Sequence, residues 1–267
     1  MNKNSDILIV DDEQVVIDAV VKICSLEKLS AETSLDVNDA LKKLQANKYK
    51  IIVCDIMMPD VDGFQFLDTL SIKKIDTPVI MTTGYSTVEN AVKALYKGAI
   101  DFIPKPFTAD EMLNAILRGL KYTEVQNQVM NNKKNNDDTI VYVSCPAKYS
   151  RLGYSSWIST EYSGTSLIGI TDLFIKIINS INVIELFKID DEVVQGNTCA
   201  LITDEKELTH PVLSPVTGRI LERNEALIND PSLIEKDPYF AGWLYRVIPS
   251  DLEYELKNLT PCSSDRI

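Results

Sequence analysis

Short apolar runs alternate with amphipathic stretches along residues 7–122. The runs are rich in β-branched residues, which is typical of strands that are buried on both faces of a sheet. They lie at 7–10, 31–33, 51–54, 78–81 and 102–103. Between them, apolar residues recur at helical spacing, as Val16, Val20 and Ile23 do. The pattern predicts five β–α units, which build a parallel sheet covered by helices on both faces.

The pattern changes beyond the fifth predicted helix. Val125 and Val129 continue the apolar stripe of that helix, but residues 131–138 form a polar tract that cannot bury a core. From about residue 140, short alternating segments punctuated by glycine and proline predict an antiparallel β domain with tight turns. We predict a first domain at 1–123, a helix extension and polar linker at 124–140, a β domain at 141–260 and a tail at 261–267.

Composition narrows the class of protein. A length of 267 residues suits two domains, and 45% hydrophobic with 25% charged residues is ordinary for a globular protein. No apolar run reaches the length of about 18 residues that indicates a membrane span, and the N-terminus lacks a signal-peptide pattern. We therefore do not expect a membrane as a partner. Five scattered cysteines without a pairing or metal pattern favour reduced thiols in a cytoplasmic protein.

The charge disfavours nucleic acid as a partner. A chain of net charge −12 is repelled by phosphate backbones, and the basic pair Lys133-Lys134 is diluted by asparagines. A DNA-binding regulator is therefore the weakest alternative, since a helix-turn-helix pattern is missing as well. The single histidine, His210, excludes a metal site built from several histidines.

Polar side chains collect where four of the predicted strands end. They are Asp11 and Asp12 after the first strand, Asp55 after the third, Thr83 at the fourth and Lys105 after the fifth. In parallel sheets the carboxyl ends of the strands meet at one edge, where ligands bind. Three carboxylates there would repel one another unless a hard cation such as Mg²⁺ lies among them. A lysine and a hydroxyl beside them can bind phosphoryl oxygens.

The stretches that carry these residues resemble the response-regulator receiver family. They are 9–13, 53–63, 78–84 and 98–107, in the order and spacing of the family. The resemblance covers residues 6 to about 122 and implies an α/β, flavodoxin-like (βα)5 fold with sheet order 2-1-3-4-5. An Asp-Asp pair at a strand end is more often a helix cap, but the coincidence at four neighbouring strand ends favours the site.

The resemblance implies a phosphorylation site with a metal. Asp55 would accept phosphate from a sensor histidine kinase and form an acyl phosphate. Asp12, Asp55 and the backbone carbonyl of Met57 would bind Mg²⁺ directly, and Asp11 would help through water.

The resemblance also implies a switch. Thr83 and Lys105 would contact the phosphoryl oxygens, and Phe102 would turn inward as Thr83 moves toward the phosphate. A buried aromatic without a switching role is the alternative for Phe102. A cis peptide bond is expected at Lys105-Pro106. We expect phosphorylation to shift a two-state equilibrium of the face formed by helix 4, strand 5 and helix 5, and a homodimer through that face.

Two bulky residues are expected at the rim of the phosphate. Met57 lies two residues after Asp55, and Tyr85 lies two residues after Thr83. Neither side chain can orient a water molecule well, so we predict slow self-dephosphorylation.

The second half of the chain resembles another family, the glycine cleavage system H protein, which is related to lipoyl carrier domains. The resemblance rests on 146–150, Trp157, 169–172, 191–196, 214–218, 224–231, 237–239 and 242–244. It implies a mostly-β, barrel-sandwich hybrid domain. No nucleophile–base pair, metal cluster or phosphate loop assembles in this half, so we do not expect an enzyme.

The carrier lysine of that family is displaced here. The family carries lipoate on a lysine eight residues before the proline of Ser-Pro-Val, and that position is Glu207, whereas lysine stands one place earlier, at Lys206. Since a one-residue slip turns a side chain to the other face, we expect no lipoate and a solvated turn lysine. We likewise expect a surface or capping role for His210 and a solvated acidic turn around Asp204 and Glu205.

Together these features predict a cytoplasmic two-component response regulator with a non-DNA output. The β domain would serve the interaction with a protein partner that the sequence does not identify. The alternative is a phosphorylation-gated lipoyl carrier in one-carbon (glycine cleavage) metabolism that uses Lys206.

Overall fold

A computed structural model describes residues 5–84 and 87–266 of the chain. The chain divides into two compact units, Met1–Gln126 and Asn127–Ile267. Within the described ranges, none of the helices combines the length and the apolar character that crossing a membrane requires.

The first unit is a five-stranded parallel sheet with helices between its strands. Its strands are β1 (Ile7–Val10), β2 (Ala31–Ser34), β3 (Ile51–Asp55), β4 (Val79–Thr83) and β5 (Asp101–Pro104). Its helices are α1 (Gln14–Leu26), α2 (Val37–Ala46), α3 (Gly63–Ile72) and α4 (Val88–Tyr96). A fifth helix, α5 (Ala109–Asn135), begins in this unit and continues beyond Gln126. The sheet order is β2-β1-β3-β4-β5, and every pairing is parallel. The predicted (βα)5 fold and its strand order are confirmed.

Burial explains why the central strands form. Each residue of β1, β3 and β4 is buried, as expected where helices cover both faces of a sheet. Side-chain caps then fix the helix starts: Asp36 accepts from the backbone of Asp39, and Asp62 forms a capping box with Gln65. These caps fix the residues at which α2 and α3 begin after the loops that follow β2 and β3.

Helix α5 is longer than its apolar stripe predicts. It runs to Asn135, so most of the polar tract that we interpreted as linker is helical. Lys133 and Lys134 occupy the last turn, where positive charge interacts favourably with the helix dipole. Asp137 N donates to Asn132 O at 2.9 Å and closes the helix end.

The second unit is built from two antiparallel sheets, in agreement with the prediction. The strands are β6 (Ser150–Leu152), β7 (Ser156–Thr160), β8 (Ser166–Ile170), β9 (Ile181–Leu186), β10 (Glu192–Val193), β11 (Thr198–Asp204), β12 (Thr209–Leu213), β13 (Gly218–Arg223), β14 (Trp243–Pro249) and β15 (Thr260–Pro261). One sheet has the order β10-β13-β14-β8-β7-β6-β15, and the other has the order β12-β11-β9. The short helices are α6 (Asp172–Ile177), α7 (Glu225–Asn229), α8 (Ser232–Lys236) and α9 (Leu252–Glu255).

An aromatic cluster holds one side of the second unit together. Trp157 is fully buried and donates to Ile170 O at 2.9 Å and Pro238 O at 3.1 Å. Gly169 faces the indole so closely that a Cβ at this position would overlap it. The segment predicted as a tail begins within the sheet, since Pro261 is the last residue of β15, which pairs with β6, and Cys262–Arg266 form a 3-10 helix.

Candidate functional site

Parallel strands bring the predicted site residues to one edge of the first sheet. Asp11 directly follows β1, Asp55 is the last residue of β3, Thr83 is the last residue of β4, and Lys105 directly follows β5. Because neighbouring strands are in parallel register, their carboxyl ends lie side by side.

Lys105 joins two of the carboxylates. Its Nζ lies 2.7 Å from Asp11 Oδ2 and 2.9 Å from Asp55 Oδ1. Asp11 and Asp55 are buried, and the Lys105 side chain is mostly buried, so these are ion pairs in a setting of low solvent screening. Glu13 lies farther out, with Oε1 3.9 Å from the same ammonium.

Three carboxylates at this edge of the sheet form a candidate cation site. Asp11, Asp12 and Asp55 each offer an oxygen, and these oxygens lie within 4.8 Å of one another. Asp12 is exposed, so the cluster opens toward solvent. A set of hard oxygen donors is what Mg²⁺ prefers, and it normally keeps several waters beside one or two carboxylates. The residues present therefore fit the predicted ion.

The pKa values of Asp55 and Lys105 are both raised, but for different reasons. Burial raises the pKa of Asp55, hydrogen bonding and charge from Lys105 oppose that rise, and the nearby Asp11 adds to it. Burial lowers the pKa of Lys105, but the hydrogen bonds to Asp11 and Asp55 outweigh it, so the pKa is raised. The lysine thus stays charged and balances the carboxylates.

The loop after β3 is shaped around Asp55. Met57 N donates to Asp55 Oδ2 at 2.9 Å, which orients the carboxylate. Gly63 begins α3 against the backbone of Asp55 and Ile56, and a Cβ there would overlap both. The Lys105-Pro106 peptide bond is cis, as predicted.

The residues expected at the switch and the rim lie near this edge. Thr83 is fully buried, and Phe102 is half-buried and packs against the apolar core. Met57 is 52% exposed, consistent with a position at the rim. Tyr85, the other expected rim residue, lies outside the described residues.

One ion pair near the switch was not predicted. Arg118 of α5 donates through Nε and Nη2 to Asp101 Oδ2, at 3.1 and 2.6 Å, while Asp101 Oδ1 accepts from Phe102 N at 2.9 Å. The signal in the sequence is an arginine inside the apolar stripe of a helix, because such a side chain needs an acidic partner when it is buried.

In the second unit, the segment that holds Lys206 is a hairpin between β11 and β12. Residues 205–208 form its turn, and both Lys206 and Glu207 are exposed, the latter with φ of 64°. The rule that a one-residue slip reverses a side chain holds along a strand, and Lys206 and Glu207 lie in a turn. Lys206 is nevertheless solvated, as expected.

Beside the turn, the expectations of a solvated Asp204 and of a surface position for His210 are wrong, whereas Glu205 is exposed as expected. Asp204 is fully buried and His210 is 3% exposed, with His210 Nε2 3.2 Å from Asp204 Oδ2. Asp204 Oδ1 accepts from the backbone amides of Lys206 and Leu208 at 2.8 and 2.9 Å. Asn179 Nδ2 donates to Oδ2 at 2.6 Å. Burial opposes the effect of these donors on the pKa of Asp204, yet the pKa is lowered overall. Asp204 is the hub of the hairpin rather than part of a solvated face.

Comparisons with known proteins match the two units separately. Residues 7–117 match the response regulator receiver domain, and residues 148–264 match the glycine cleavage H-protein. The nitrogen assimilation regulatory protein NtrX of Azorhizobium caulinodans is 36% identical over 126 residues, which are 46% of this chain and 28% of NtrX. The chain thus spans little more than a quarter of this relative. The receiver domain of NtrX from Brucella abortus is 36% identical, with a TM-score of 0.42 over 43% of this chain and 98% of that one.

The other half matches proteins of its own size. The glycine cleavage system H protein of Shewanella sp. (strain MR-7) is 33% identical over 105 residues, which are 38% of this chain and 81% of that protein. Both resemblances drawn from the sequence are confirmed. The molecule therefore consists of a receiver unit followed by an H-protein-like β unit. The chain belongs to the glycine cleavage H-protein family through residues 148–264, and residues 7–117 are a response regulator receiver domain.

Proposed function

We propose that this protein is a two-component response regulator that is phosphorylated on Asp55 by a sensor histidine kinase. The observation that supports the proposal best is the set of three carboxylates within 4.8 Å of one another, with Lys105 bonded to two of them. An arrangement of this kind neutralises negative charge, which is the main requirement of phosphoryl transfer.

Each residue has a role in the proposed step. The phosphoryl group leaves a phosphohistidine nitrogen of the kinase and bonds to a carboxylate oxygen of Asp55. Lys105 exchanges its bond to Asp55 for one to a phosphoryl oxygen, and Thr83 donates to another. Asp12, Asp55 and the backbone carbonyl of Met57 would hold Mg²⁺ directly, and Asp11 would help through water. When bound, this ion offsets the charge of the carboxylates and of the transferred group.

Phosphorylation then acts on the switch. Thr83 moves toward the phosphoryl group, Phe102 turns inward, and the α4–β5–α5 face changes its equilibrium between two states. We propose a homodimer through that face, and Arg118 and Asp101, which join α5 to β5, make this face a coupled unit.

The output is an interaction with another protein rather than with DNA. We propose a receiver at 1–123, a helix extension and polar linker at 124–140, an H-protein-like interaction domain at 141–260 and a tail at 261–267. The net charge of −12 opposes binding to nucleic acid. The protein is proposed to act in the cytoplasm and to be no enzyme; its five cysteines are free and buried, which suits a reducing compartment.

Phosphorylation of the purified chain tests the proposal. Incubation with acetyl phosphate and Mg²⁺ should add one phosphoryl group, detected by intact-mass spectrometry. Asp55→Asn should remain unlabelled, and EDTA should prevent labelling of the wild type. The matched control Asp60→Asn changes an aspartate of the same loop and should be labelled normally. Equal labelling of wild type and Asp55→Asn would reject the assignment.

A second function is favoured by one specific observation. Lys206 is exposed at the tip of the hairpin, where a modifying enzyme can reach it, so a lipoyl carrier in one-carbon metabolism is the competing proposal. Co-expression with a lipoyl ligase and intact-mass spectrometry decides between them. A lipoyl adduct that Lys206→Arg abolishes supports the carrier, whereas an unmodified wild type supports the interaction domain.

A further inference from the structure

A closed ring of hydrogen bonds fastens the start of the β domain to its interior. Val143 N donates to Asp172 Oδ2 at 2.6 Å, and Asp172 N donates to the phenol oxygen of Tyr239 at 3.1 Å. The Tyr239 hydroxyl donates to Val143 O at 2.9 Å and completes the ring. We call Val143, Asp172 and Tyr239 the clasp.

The clasp is buried where it meets the domain. Asp172 is 3% and Tyr239 is 4% exposed, while the side chain of Val143 lies at the surface. Burial raises the pKa of Tyr239 well above its usual value, so the phenol stays neutral and keeps its proton for Val143. Because a broken bond would leave a buried polar group unsatisfied, Val143 and Asp172 should move together.

Asp172 is also the first residue of α6. Thr171 caps this helix by accepting from Phe174 N at 3.1 Å. The side chains of Phe174, Ile175 and Ile177 are buried, so α6 is packed into the domain. A capped and packed helix of six residues, about 9 Å long, moves as one body.

The other end of α6 leads to the hairpin that holds Lys206. Asn179 lies two residues beyond the helix, and its Nδ2 donates to Asp204 Oδ2 at 2.6 Å. The next residue, Ser180, accepts from Glu205 N through its carbonyl at 3.0 Å. Asp204 in turn holds the turn amides of Lys206 and Leu208.

We propose that α6 is a relay, which transmits a displacement of the segment at Val143 through the clasp to the hairpin at residues 204–210. The inference rests on the proposed function, because it supplies the route by which a signal that reaches residues 140–143 would change the surface of the β domain. The hairpin is then the regulated part of that surface. A protein partner or a modifying enzyme would therefore bind the hairpin in one of two conformations, which depend on the position of the segment at Val143.

Hydrogen exchange on the full chain tests the relay inside the β domain. Tyr239→Phe removes the donor to Val143 O and should speed exchange of the Lys206 and Leu208 amides about fivefold, the factor that corresponds to one net hydrogen bond. Tyr149→Phe is the matched control, since its hydroxyl donates to Tyr239 O at 3.3 Å without belonging to the clasp. It should leave the hairpin unchanged.

Two further variants make the result decisive. Asn179→Ala acts on Asp204 directly and shows the exchange expected when the relay is cut at its far end. Asp172→Asn weakens the clasp at the bond from Val143 N and leaves the Tyr239 hydroxyl in place, so it replaces Tyr239→Phe if that variant fails to fold. Unchanged hairpin exchange in the clasp variants, or an equal increase in Tyr149→Phe, overturns the proposal.

Acetyl phosphate with Mg²⁺ then separates the relay from the function that it serves. Labelled wild type should show altered hairpin exchange, and labelled Tyr239→Phe should not. Labelling without any change in the hairpin refutes the relay and leaves the receiver function intact. If the wild type takes no label, the proposed function fails, and the comparison of unlabelled variants still decides whether the clasp and the hairpin are coupled.

Discussion

Arg118→Met should destabilise the receiver strongly, because it removes the cationic partner of the Asp101 carboxylate. Arg118 is 7% exposed and donates twice to Asp101 Oδ2, whose own side chain is 16% exposed. Removal of one partner from a buried ion pair costs about 3–5 kcal/mol. Since Asp101 keeps some solvent and the bond from Phe102 N, we expect the lower end, about 3 kcal/mol.

The assay must report on the first unit alone. Both tryptophans, Trp157 and Trp243, lie in the β domain, so fluorescence does not follow the receiver. Hydrogen exchange of peptides from β5 and α5 measures the free energy of unfolding locally. The double variant Arg118→Met with Asp101→Leu removes both charges and should recover most of the loss. A loss below about 1 kcal/mol in the single variant would mean that the pair behaves like a surface salt bridge, and the reasoning would be refuted.

Three other substitutions test separate parts of the structure. Met57→Asn should shorten the half-life of the acyl phosphate, because the amide can orient an attacking water; an unchanged half-life contradicts this. Gly169→Ala should lower the free energy of unfolding of the β domain by about 1–3 kcal/mol, since the new Cβ overlaps Trp157, and urea unfolding followed by tryptophan fluorescence measures it. Asp6→Asn should remove part of the acid sensitivity of the receiver. The hydrogen bond from Lys50 lowers the pKa of Asp6 from 3.8 to about 2, so its stabilisation is present above pH 3.8 and is lost as the pH falls through 2. Receiver unfolding followed by hydrogen exchange at pH 6 and pH 2.5 checks the sign.

The receiver could be predicted closely because its signals are local. Runs such as 51–54 are apolar throughout, which identifies strands covered on both faces. The strand-end rule then brings Asp11, Asp55 and Lys105 together without knowledge of any distance. The bonds of Lys105 to both carboxylates depend on side-chain conformations, and these become clear only in the folded protein.

The hairpin shows why local reasoning failed elsewhere. Apart from Leu208, residues 203–210 are polar or charged, which is typical of a solvated turn. Asp204 is buried because Asn179, 25 residues earlier, and His210 supply partners for its carboxylate. Contacts between residues so far apart in sequence leave no pattern in a single chain.

The observed end of α5 also differs from the end predicted from the sequence. Its apolar stripe stops near Val129, so the periodic signal ends there. The helix continues to Asn135 because the backbone bonds, a basic last turn and the contact from Asp137 N to Asn132 O satisfy its end. None of these features depends on burial, which is what hydrophobic periodicity reports.

Mapping of the phosphoryl group tests the central claim most directly. After treatment with acetyl phosphate and Mg²⁺, the acyl phosphate is reduced with borohydride, and peptide mass spectrometry locates the converted residue. The carboxylate cluster beside Lys105 predicts homoserine in place of Asp55, and a strong decrease of this product in Asp12→Asn and in Lys105→Met. Conversion at another aspartate would contradict the account, and so would conversion of Asp55 to the same extent in both variants as in the wild type.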